Sequence, residues 1–379
     1  MSRSPSAPEQ VPGRVPRGPV ALIGVGLMGG SLGRALVTAG VADVRAHDPQ
    51  PGVAEQAVAL GAATSAAATL EEACDGASCV VVGAPVTVIP AVARRALAAT
   101  GDDCLVTDLG SAKGSVVEAL TPAERERFIG SHPVCGGERS GVAAARDDLF
   151  RGATWFLTPT PEARPGLFER LHTMIAAVGA VPVAIDAAVH DRLMALVSHV
   201  PHVLAAALIN QAAATAPEGR EALRSAGPSF RDLTRVAGSN PPLWADILLS
   251  NRDAVVEALA DFRGRLAGVE AAVARGDREA LLAFVAEAAE GRERLRAGGE
   301  EPAGEAWDIV TEIPDRPGAL SEIAMVLGHA HINITDLALQ PHPPGGVGEL
   351  VIRVDGAAAA ADAVRRITER GYTVRGAPA

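Results

Sequence analysis

The stretch VALIGVGLMGGSLG, residues 20–33, decides the fold at the start of the chain. A short apolar strand leads directly into glycines spaced as GxGxxG at Gly24, Gly26 and Gly29, and a helix-forming run follows. The first glycine permits a tight turn, the second lets the backbone approach a pyrophosphate, and the third allows close packing of the helix. Such a strand, turn and helix are typical of a dinucleotide-binding βαβ unit.

An acidic residue stands where this unit needs one. Asp48 ends the next predicted strand, about 20 residues after the glycines, where a carboxylate accepts hydrogen bonds from a ribose and repels a 2′-phosphate. The pattern therefore favours NAD, the alternative being a glycine-rich turn followed by a helix-capping aspartate. The candidate cofactor-binding residues in this unit are Gly24, Gly26, Leu27, Met28, Gly29 and Asp48.

The stretch also fixes the class of the first domain. Further strand-like runs occur at 79–85, 104–110, 127–133 and 153–159, with helix-compatible stretches between several of them. This alternation predicts a Rossmann-type, doubly wound α/β domain over residues 18–185.

Four other segments differ in pattern. Residues 186–296 lose the strand signal and predict an all-helical substrate or dimerisation domain, whose first helix is apolar over most of its circumference. Residues 297–305 have the composition of a linker, and residues 306–379 alternate as βαββαβ, an α+β ferredoxin-like module. Residues 1–17 contain four prolines and no apolar core of a signal peptide, so a disordered tail is expected.

Composition excludes some partners. The 379 residues carry a net charge of −11 and only 3% aromatic side chains, which disfavours nucleic acid because such binding needs a basic field. The four cysteines lack zinc-site spacing and are expected to be free thiols in a reducing compartment. The most apolar run, 193–209, is interrupted by polar residues and proline, so we expect a cytoplasmic protein without a membrane partner.

Polar residues follow two more predicted strands. Ser111 and Lys113 come after VTDLG, and His132 follows RFIG within SHPVCGGERSG, residues 131–141. Carboxyl ends of strands border the ligand crevice, so a hydrogen bond from Ser111 to His132 is expected. The alternatives are that Ser111 caps a helix, that Lys113 is a solvated surface residue and that His132 is a turn residue. A metal site at His132 and Cys135 has too few ligands unless His199 and His202 complete it, and a Cys135 nucleophile lacks a partner.

The helical domain offers basic groups for a substrate. His199 and His202 lie close together on one predicted helix, and Arg231 and Arg235 are spaced i and i+4. Two aligned arginines suit a substrate with several carboxylates, by forked hydrogen bonds that lysine cannot form.

Five motifs, read in order, resemble the prephenate and arogenate dehydrogenases of tyrosine biosynthesis. They are GVGLMGGSLG, TDLGSAK, SHPVCGGERSG, HDRLMALVSHVPH and FRDLTRVAGSNPPLW. The tail from EIPDRPGALSEIAMVL resembles an ACT domain, a small amino-acid-binding module. The resemblance covers roughly residues 19–379.

The resemblance implies NAD-dependent oxidative decarboxylation of prephenate to 4-hydroxyphenylpyruvate. It makes His132 the acceptor of the substrate hydroxyl's proton, with Ser111 touching that histidine and the nicotinamide region. It places His202, or else His199, in the substrate pocket, Arg235 on a carboxylate, and Glu138 in gating or substrate contact. No metal is implied. Cys135 and Gly137 depart from the family's usual residues.

Other functions stay open. Arogenate or an amino-substituted prephenate would undergo the same chemistry. A β-hydroxyacid dehydrogenase shares the domain order but uses a lysine in its helical domain, and residues 186–300 contain none. A catalytically silent amino-acid sensor is the remaining alternative.

The tail is expected to bind an effector, with a purely structural or dimerising role as the alternative. Amides at the start of a helix could meet an amino-acid carboxylate at the turn Asp315 to Gly318, which includes Pro317, and Asn333 lies nearby. The expected effector is tyrosine or another aromatic amino acid, and the expected assembly is a homodimer.

Overall fold

The computed structural model describes residues 18–137, 139–214, 223–297, 306–314, 316, 318–330, 332–340 and 347–378. The tail expected at residues 1–17 and nearly all of the expected linker lie outside this range.

An eight-stranded sheet forms the first domain, in the order β3-β2-β1-β4-β5-β6-β7-β8. Its strands are β1 (Val20–Ile23), β2 (Val44–His47), β3 (Ser65–Ala66), β4 (Cys79–Val82), β5 (Leu105–Asp108), β6 (Phe128–Pro133), β7 (Thr154–Thr158) and β8 (Val181–Ala184). The first six run parallel in the Rossmann order. The predicted Rossmann-type fold is confirmed, but β7 runs antiparallel to β6, a reversal that the sequence pattern did not predict.

Helices cover both faces of this sheet. They are α1 (Leu27–Thr38), α2 (Val53–Ala59), α3 (Leu70–Cys74), α4 (Ile89–Ala99), α5 (Gly114–Glu118), α6 (Pro122–Arg125) and α7 (Pro165–Ala177). The central strands VALI and CVVV are buried along their whole length, because parallel strands between two helical layers have no face toward water.

The second region is helical, as predicted. It comprises α8 (Ala187–Met194), a π-helical segment (Ala195–His199), α9 (Val200–Ala214), α10 (Pro228–Thr234), α11 (Pro241–Ser250), α12 (Arg252–Arg275) and α13 (Arg278–Ala297). The π-helical segment precedes Pro201, which has no N–H to donate to the carbonyl of Val197. Such segments are frequent at functional sites.

The run from Ala187 to Ala214 is long and apolar enough to cross a membrane by length and composition, and 33% of its most apolar window is buried within the chain. Exposed leucines, valines and one phenylalanine continue over α11, α12 and α13, among them Leu249, Val256, Leu266, Val273 and Phe284. The described part of one chain therefore leaves a broad apolar surface on this region.

The third region confirms the predicted ferredoxin-like module. Its elements are β9 (Ala306–Pro314), α14 (Ala319–His329), β10 (Ile334–Gln340), β11 (Val347–Asp355), α15 (Ala357–Glu369) and β12 (Val374–Pro378), with sheet order β10-β11-β9-β12. Helix α14 packs on β8, and the apolar core of this module is continuous with that of the first domain.

Candidate active site

Two of the three motif glycines are required by packing. Gly24 has φ 91°, and a Cβ on it would lie 2.5 Å from the carbonyl oxygen of Gly83. A Cβ on Gly29 would lie 2.1 Å from the carbonyl oxygen of Gly24. A Cβ on Gly26, in contrast, would meet no described atom within 4 Å. Gly26 thus borders open space, and a side chain there would occupy the room that a ligand needs.

The start of α1 is suited to an anion. Gly26 is the N-cap, no side chain caps the helix, and its first turn, which includes Leu27, Met28 and Gly29, has no acidic residue. The amides of a first turn have no partner within the helix, so they can bind phosphate oxygens. Asp48 lies beside this turn, because its carboxylate accepts the N–H groups of Val25 at 3.0 Å and Gln50 at 2.9 Å. These residues fit a dinucleotide, with the pyrophosphate at α1 and a ribose at Asp48.

The loop after β6 lies against the same helix. The position of a Cβ on Gly137 is 3.7 Å from Cδ2 of Leu27, and the N–H of Arg146 donates to Oγ of Ser31 at 3.0 Å. The loop therefore passes beside the glycine turn. Glu138 falls outside the described residues.

Cys135 is partly buried in this loop, and burial raises the pKa of its thiol to about 11. It is protonated near pH 7 and a poor nucleophile. Among the described residues, no three His, Cys, Asp or Glu side chains converge as metal ligands would.

His132 lies near the carboxyl end of β6, opposite Phe156 of β7, and is only 9% exposed. Its Nδ1 is 2.9 Å from Nε2 of His190, with the two rings nearly perpendicular. Burial, followed by the charges of His190, Lys113 and His199, holds the pKa of His132 well below 6.5. The imidazole is therefore neutral near pH 7 and able to accept a proton.

His190 and Asp191, at the middle of α8, connect this histidine to the helical region. Nδ1 of His190 is 2.8 Å from Oδ1 of Asp191. The same carboxylate accepts the backbone N–H groups of Lys113 and Gly114, each at 2.8 Å. Neither His190 nor Asp191 was among the predicted site residues. The adjacent letters HD were visible, but nothing in the local pattern indicated that α8 reaches β6.

Ser111 and Lys113 differ from expectation. His132 is bonded to His190, and Ser111, half-buried, makes no hydrogen bond within the described residues. Lys113 is wholly buried, pairs with the carboxylate of Asp108 and donates to the carbonyl of Ser131 at 2.8 Å. Lys113 thus joins β5 to β6 from inside the protein and neither faces a crevice nor is solvated.

The histidines expected in the substrate pocket are both buried. Nδ1 of His199 is 3.1 Å from Nδ2 of Asn251, and burial lowers the pKa of His199 to about 4. His202 stacks on Trp244, with ring centroids 3.5 Å apart. Nδ1 of His202 is buried without a hydrogen-bond partner among the described residues. Such a group calls for a polar ligand atom. Trp244 was not predicted as a site residue.

The two arginines occupy different elements. Arg231 lies in α10 and donates to the carbonyl of Ala226 at 3.2 Å, whereas Arg235 begins a 3₁₀ turn, Arg235–Gly238, that packs on α9. Both are exposed. The expected alignment on one α-helix is therefore broken between them, although the elements of both arginines pack on α9, the helix of His202.

The predicted effector turn contacts the first domain. Gly318, with φ 83°, is the N-cap of α14, and its N–H donates to the carbonyl of Ala163 at 3.2 Å. Asn333 is exposed between α14 and β10. Asp315 and Pro317 lie outside the described residues.

Comparison with known proteins divides the chain in the same way. Residues 32–184 match the nucleotide-binding domain of prephenate dehydrogenase, residues 186–287 match its dimerization domain, and residues 308–371 match an ACT domain.

Individual relatives agree. A prephenate dehydrogenase of Bacillus subtilis (strain 168) is 31% identical over 338 residues, 84% of this chain and 87% of the relative. The structure of prephenate dehydrogenase from A. aeolicus with hydroxyphenyl propionate and NAD+ has a TM-score of 0.71 at 29% identity, covering 74% of this chain and 99% of that one. Arogenate dehydrogenase from Synechocystis has a TM-score of 0.65 at 26% identity, covering 73% and 99%. The chain belongs to the prephenate dehydrogenase family and carries a C-terminal ACT domain.

Proposed function

We propose that the protein is an NAD-dependent prephenate dehydrogenase that converts prephenate to 4-hydroxyphenylpyruvate and CO2. The observation that carries the proposal is His132, a buried neutral imidazole near the end of β6, which is hydrogen-bonded to His190 and followed by a loop that passes beside the glycine turn. Family membership supports the same reaction.

His132 acts as the general base. Its imidazole accepts the proton of the substrate's ring hydroxyl as the carbon that carries this hydroxyl is oxidised, a role that suits a neutral histidine. The glycine turn and Asp48 would hold NAD, which would supply the hydride acceptor. Ser111, three residues beyond Asp108 at the end of β5, borders the same crevice. Loss of the ring carboxylate as CO2 is driven by formation of the aromatic ring, so no further acid is required.

Substrate binding falls to the helical region. His202 offers an unpartnered ring nitrogen beside the flat face of Trp244, which suits a planar ring with polar substituents. Arg235 binds a carboxylate by a forked pair of hydrogen bonds, with Arg231 as a further candidate for this role. His199 is the alternative to His202 as the pocket histidine. The resemblance adds Glu138. Burial of His199 and His202 limits the access of water to this part of the pocket.

Arogenate is the second candidate substrate, favoured by the likeness to the Synechocystis enzyme. Its side chain bears an amine in place of the keto group.

The test is turnover of purified protein with prephenate and with arogenate, each with NAD and with NADP, followed by absorbance of the reduced cofactor. We expect prephenate with NAD to give the highest kcat/KM. Turnover of arogenate alone would transfer the assignment to the second candidate, and no reduction of NAD with either substrate would refute both.

Regulation and assembly complete the proposal. We assign the ACT domain to feedback inhibition by an aromatic amino acid, at the turn containing Asp315, Pro317 and Gly318 and near Asn333. The apolar surface of α11, α12 and α13 forms a homodimer, and the enzyme works in the cytoplasm. Inhibition by tyrosine, its loss on truncation after residue 300, and a doubled mass in light scattering are expected. If the truncated enzyme is active and tyrosine still inhibits it, the assignment of feedback inhibition to the ACT domain is contradicted.

A further inference from the structure

Asp191 has a fixed set of hydrogen-bond partners. Its Oδ1 accepts the backbone N–H of Lys113 and its Oδ2 accepts that of Gly114. A backbone amide can only donate, so both oxygens act as acceptors in these bonds. Oδ1 also lies 2.8 Å from Nδ1 of His190. The ionised carboxylate therefore requires Nδ1 of His190 to carry a hydrogen.

The hydrogen on Nδ1 of His190 determines which ring nitrogen of His132 carries a hydrogen. Burial lowers the pKa of His190 even though Asp191 raises it, so the ring is neutral near pH 7 and carries one hydrogen only. With that hydrogen on Nδ1, Nε2 of His190 is an acceptor. Nε2 of His190 lies 2.9 Å from Nδ1 of His132, which must therefore be the donor. The neutral ring of His132 then has its lone pair on Nε2.

We infer that His190 and Asp191 are positioning residues that hold His132 in the Nδ1–H tautomer and leave Nε2 bare as the atom that accepts the substrate's proton. The inference rests on the proposed function for its meaning in catalysis, because it specifies which atom of the base is active. In the opposite tautomer, Nε2 would carry a hydrogen and could not accept another.

The chain of hydrogen bonds needs no proton transfer along it. When Nε2 of His132 accepts a proton, the ring becomes an imidazolium whose Nδ1–H still donates to His190. His190 keeps its own Nδ1–H bond to Asp191. The negative carboxylate lies two hydrogen bonds from the new positive charge and stabilises it through the intervening ring.

The arrangement also joins two domains. His132 belongs to the nucleotide-binding domain, whereas His190 and Asp191 belong to α8 of the helical region. Because the amides of Lys113 and Gly114 begin α5, docking of α8 on α5 fixes the tautomer of a base in β6. The sequence predicted that Ser111 orients His132. In the structure, His190 and Asp191 take this role instead.

Histidine-selective 15N NMR of the full chain tests the tautomer without any substrate. We expect the His132 ring, identified by the signals that His132→Asn removes, to show a protonated Nδ1 and an unprotonated Nε2 near pH 7.5. A His132 ring protonated on Nε2 would overturn the inference.

Variants test its consequence for turnover. Asp191→Asn presents an amide NH2 that can donate to His190 and reverse both tautomers, so kcat should fall by about 10²-fold or more with NAD affinity unchanged. His190→Gln offers an amide oxygen to His132 and should retain at least about tenfold more kcat than His190→Leu, which offers none.

His172→Gln is the matched control, since His172 is equally buried but lies in α7 and contacts Phe168. It should leave kcat and the His132 signals unchanged. Equal losses of kcat in His190→Gln, His190→Leu and His172→Gln would contradict a positioning role and indicate general destabilisation. If Asp191→Asn does not fold, the wild-type spectrum and the His190 pair still decide.

The two proposals fail in different ways. An Nδ1–H tautomer in a protein that turns over neither prephenate nor arogenate would leave the hydrogen-bond chain intact and refute the proposed function. Turnover of prephenate by a protein whose His132 carries its hydrogen on Nε2 would refute the positioning role alone.

Discussion

The nucleotide-binding domain meets its two neighbours through unlike contacts. Toward the helical region the contact is polar and directional: it consists of His132 with His190 and of Asp191 with the amides that begin α5. Toward the ACT domain it is a close backbone approach, in which a Cβ on Gly328 would lie 1.7 Å from the carbonyl oxygen of Ala184. The polar contact orients atoms for the proposed chemistry, whereas the approach of Gly328 to Ala184 fixes a distance and involves no titratable side chain. The first should control turnover and the second stability.

The largest effect should come from the polar contact. His132→Asn removes the proposed general base, and we expect turnover to fall by about 10²-fold or more, equivalent to about 2.7 kcal/mol in the barrier. NAD binding, measured by titration of protein fluorescence, should be nearly unchanged because the glycine turn and Asp48 are untouched. Near-normal turnover would remove His132 from the mechanism.

The ACT contact should respond in stability. In Gly328→Val the new side chain meets a backbone carbonyl that cannot rotate away, so a loss of about 3 kcal/mol is expected, at the upper end of the range for overpacking. Denaturant unfolding measures it, with Gly264→Val in α12, where a Cβ meets no described atom within 4 Å, as the control for β-branching in a helix. Equal losses in the two variants would show that the close approach is not rigid.

Sequence patterns predicted the parts of this molecule that depend on local order. The glycine turn, the strand ends carrying His132 and Ser111, and the βαββαβ tail each follow from spacing within a few residues of one another. The reversal of β7 did not follow, because strand direction depends on how a distant connection returns to the sheet. Neither docking contact was visible, since each joins residues more than fifty positions apart.

The burial of Lys113 is another feature that the sequence pattern did not predict. A lysine after a strand end is usually solvated, yet this one is buried against Asp108, and burial lowers its pKa although Asp108 raises it. One signal was available: Lys113 is the only lysine in a chain rich in arginine. An ammonium is a compact point charge whereas a guanidinium is a planar fork, so a lone lysine among arginines marks a site with a different geometry. Partner identity, however, required the three-dimensional register of β5 and β6.

Acid should destabilise the folded chain through the buried histidines at and beside the polar contact. Burial lowers the folded-state pKa of His132, His190 and His199 below 6.5, for His199 to about 4. Below pH 6.5 these histidines bind protons in the unfolded chain but not in the folded chain. The free energy of unfolding therefore decreases as the pH falls toward the folded-state pKa. For His199 alone the loss is about 2 kcal/mol between pH 7 and pH 5.

Unfolding free energies at the two pH values measure this loss. His199→Asn should reduce the pH dependence, whereas Gly328→Val should cost the same at both, because its contact has no titrating group. A pH dependence that His199→Asn leaves unchanged would assign the acid sensitivity to other residues.

The smallest effect should come from a second polar contact between the same two regions. Oγ1 of Thr87 lies 3.5 Å from Oδ2 of Asp246, at the limit of a hydrogen bond and exposed to water. Water replaces such a bond easily, so Thr87→Val should cost less than about 0.5 kcal/mol and leave turnover unchanged. Asp191→Asn, at buried bonds of 2.8 Å, should cost several times more. Comparable losses in the two variants would mean that polarity alone, rather than burial and geometry at Asp191, holds α8 against the nucleotide-binding domain.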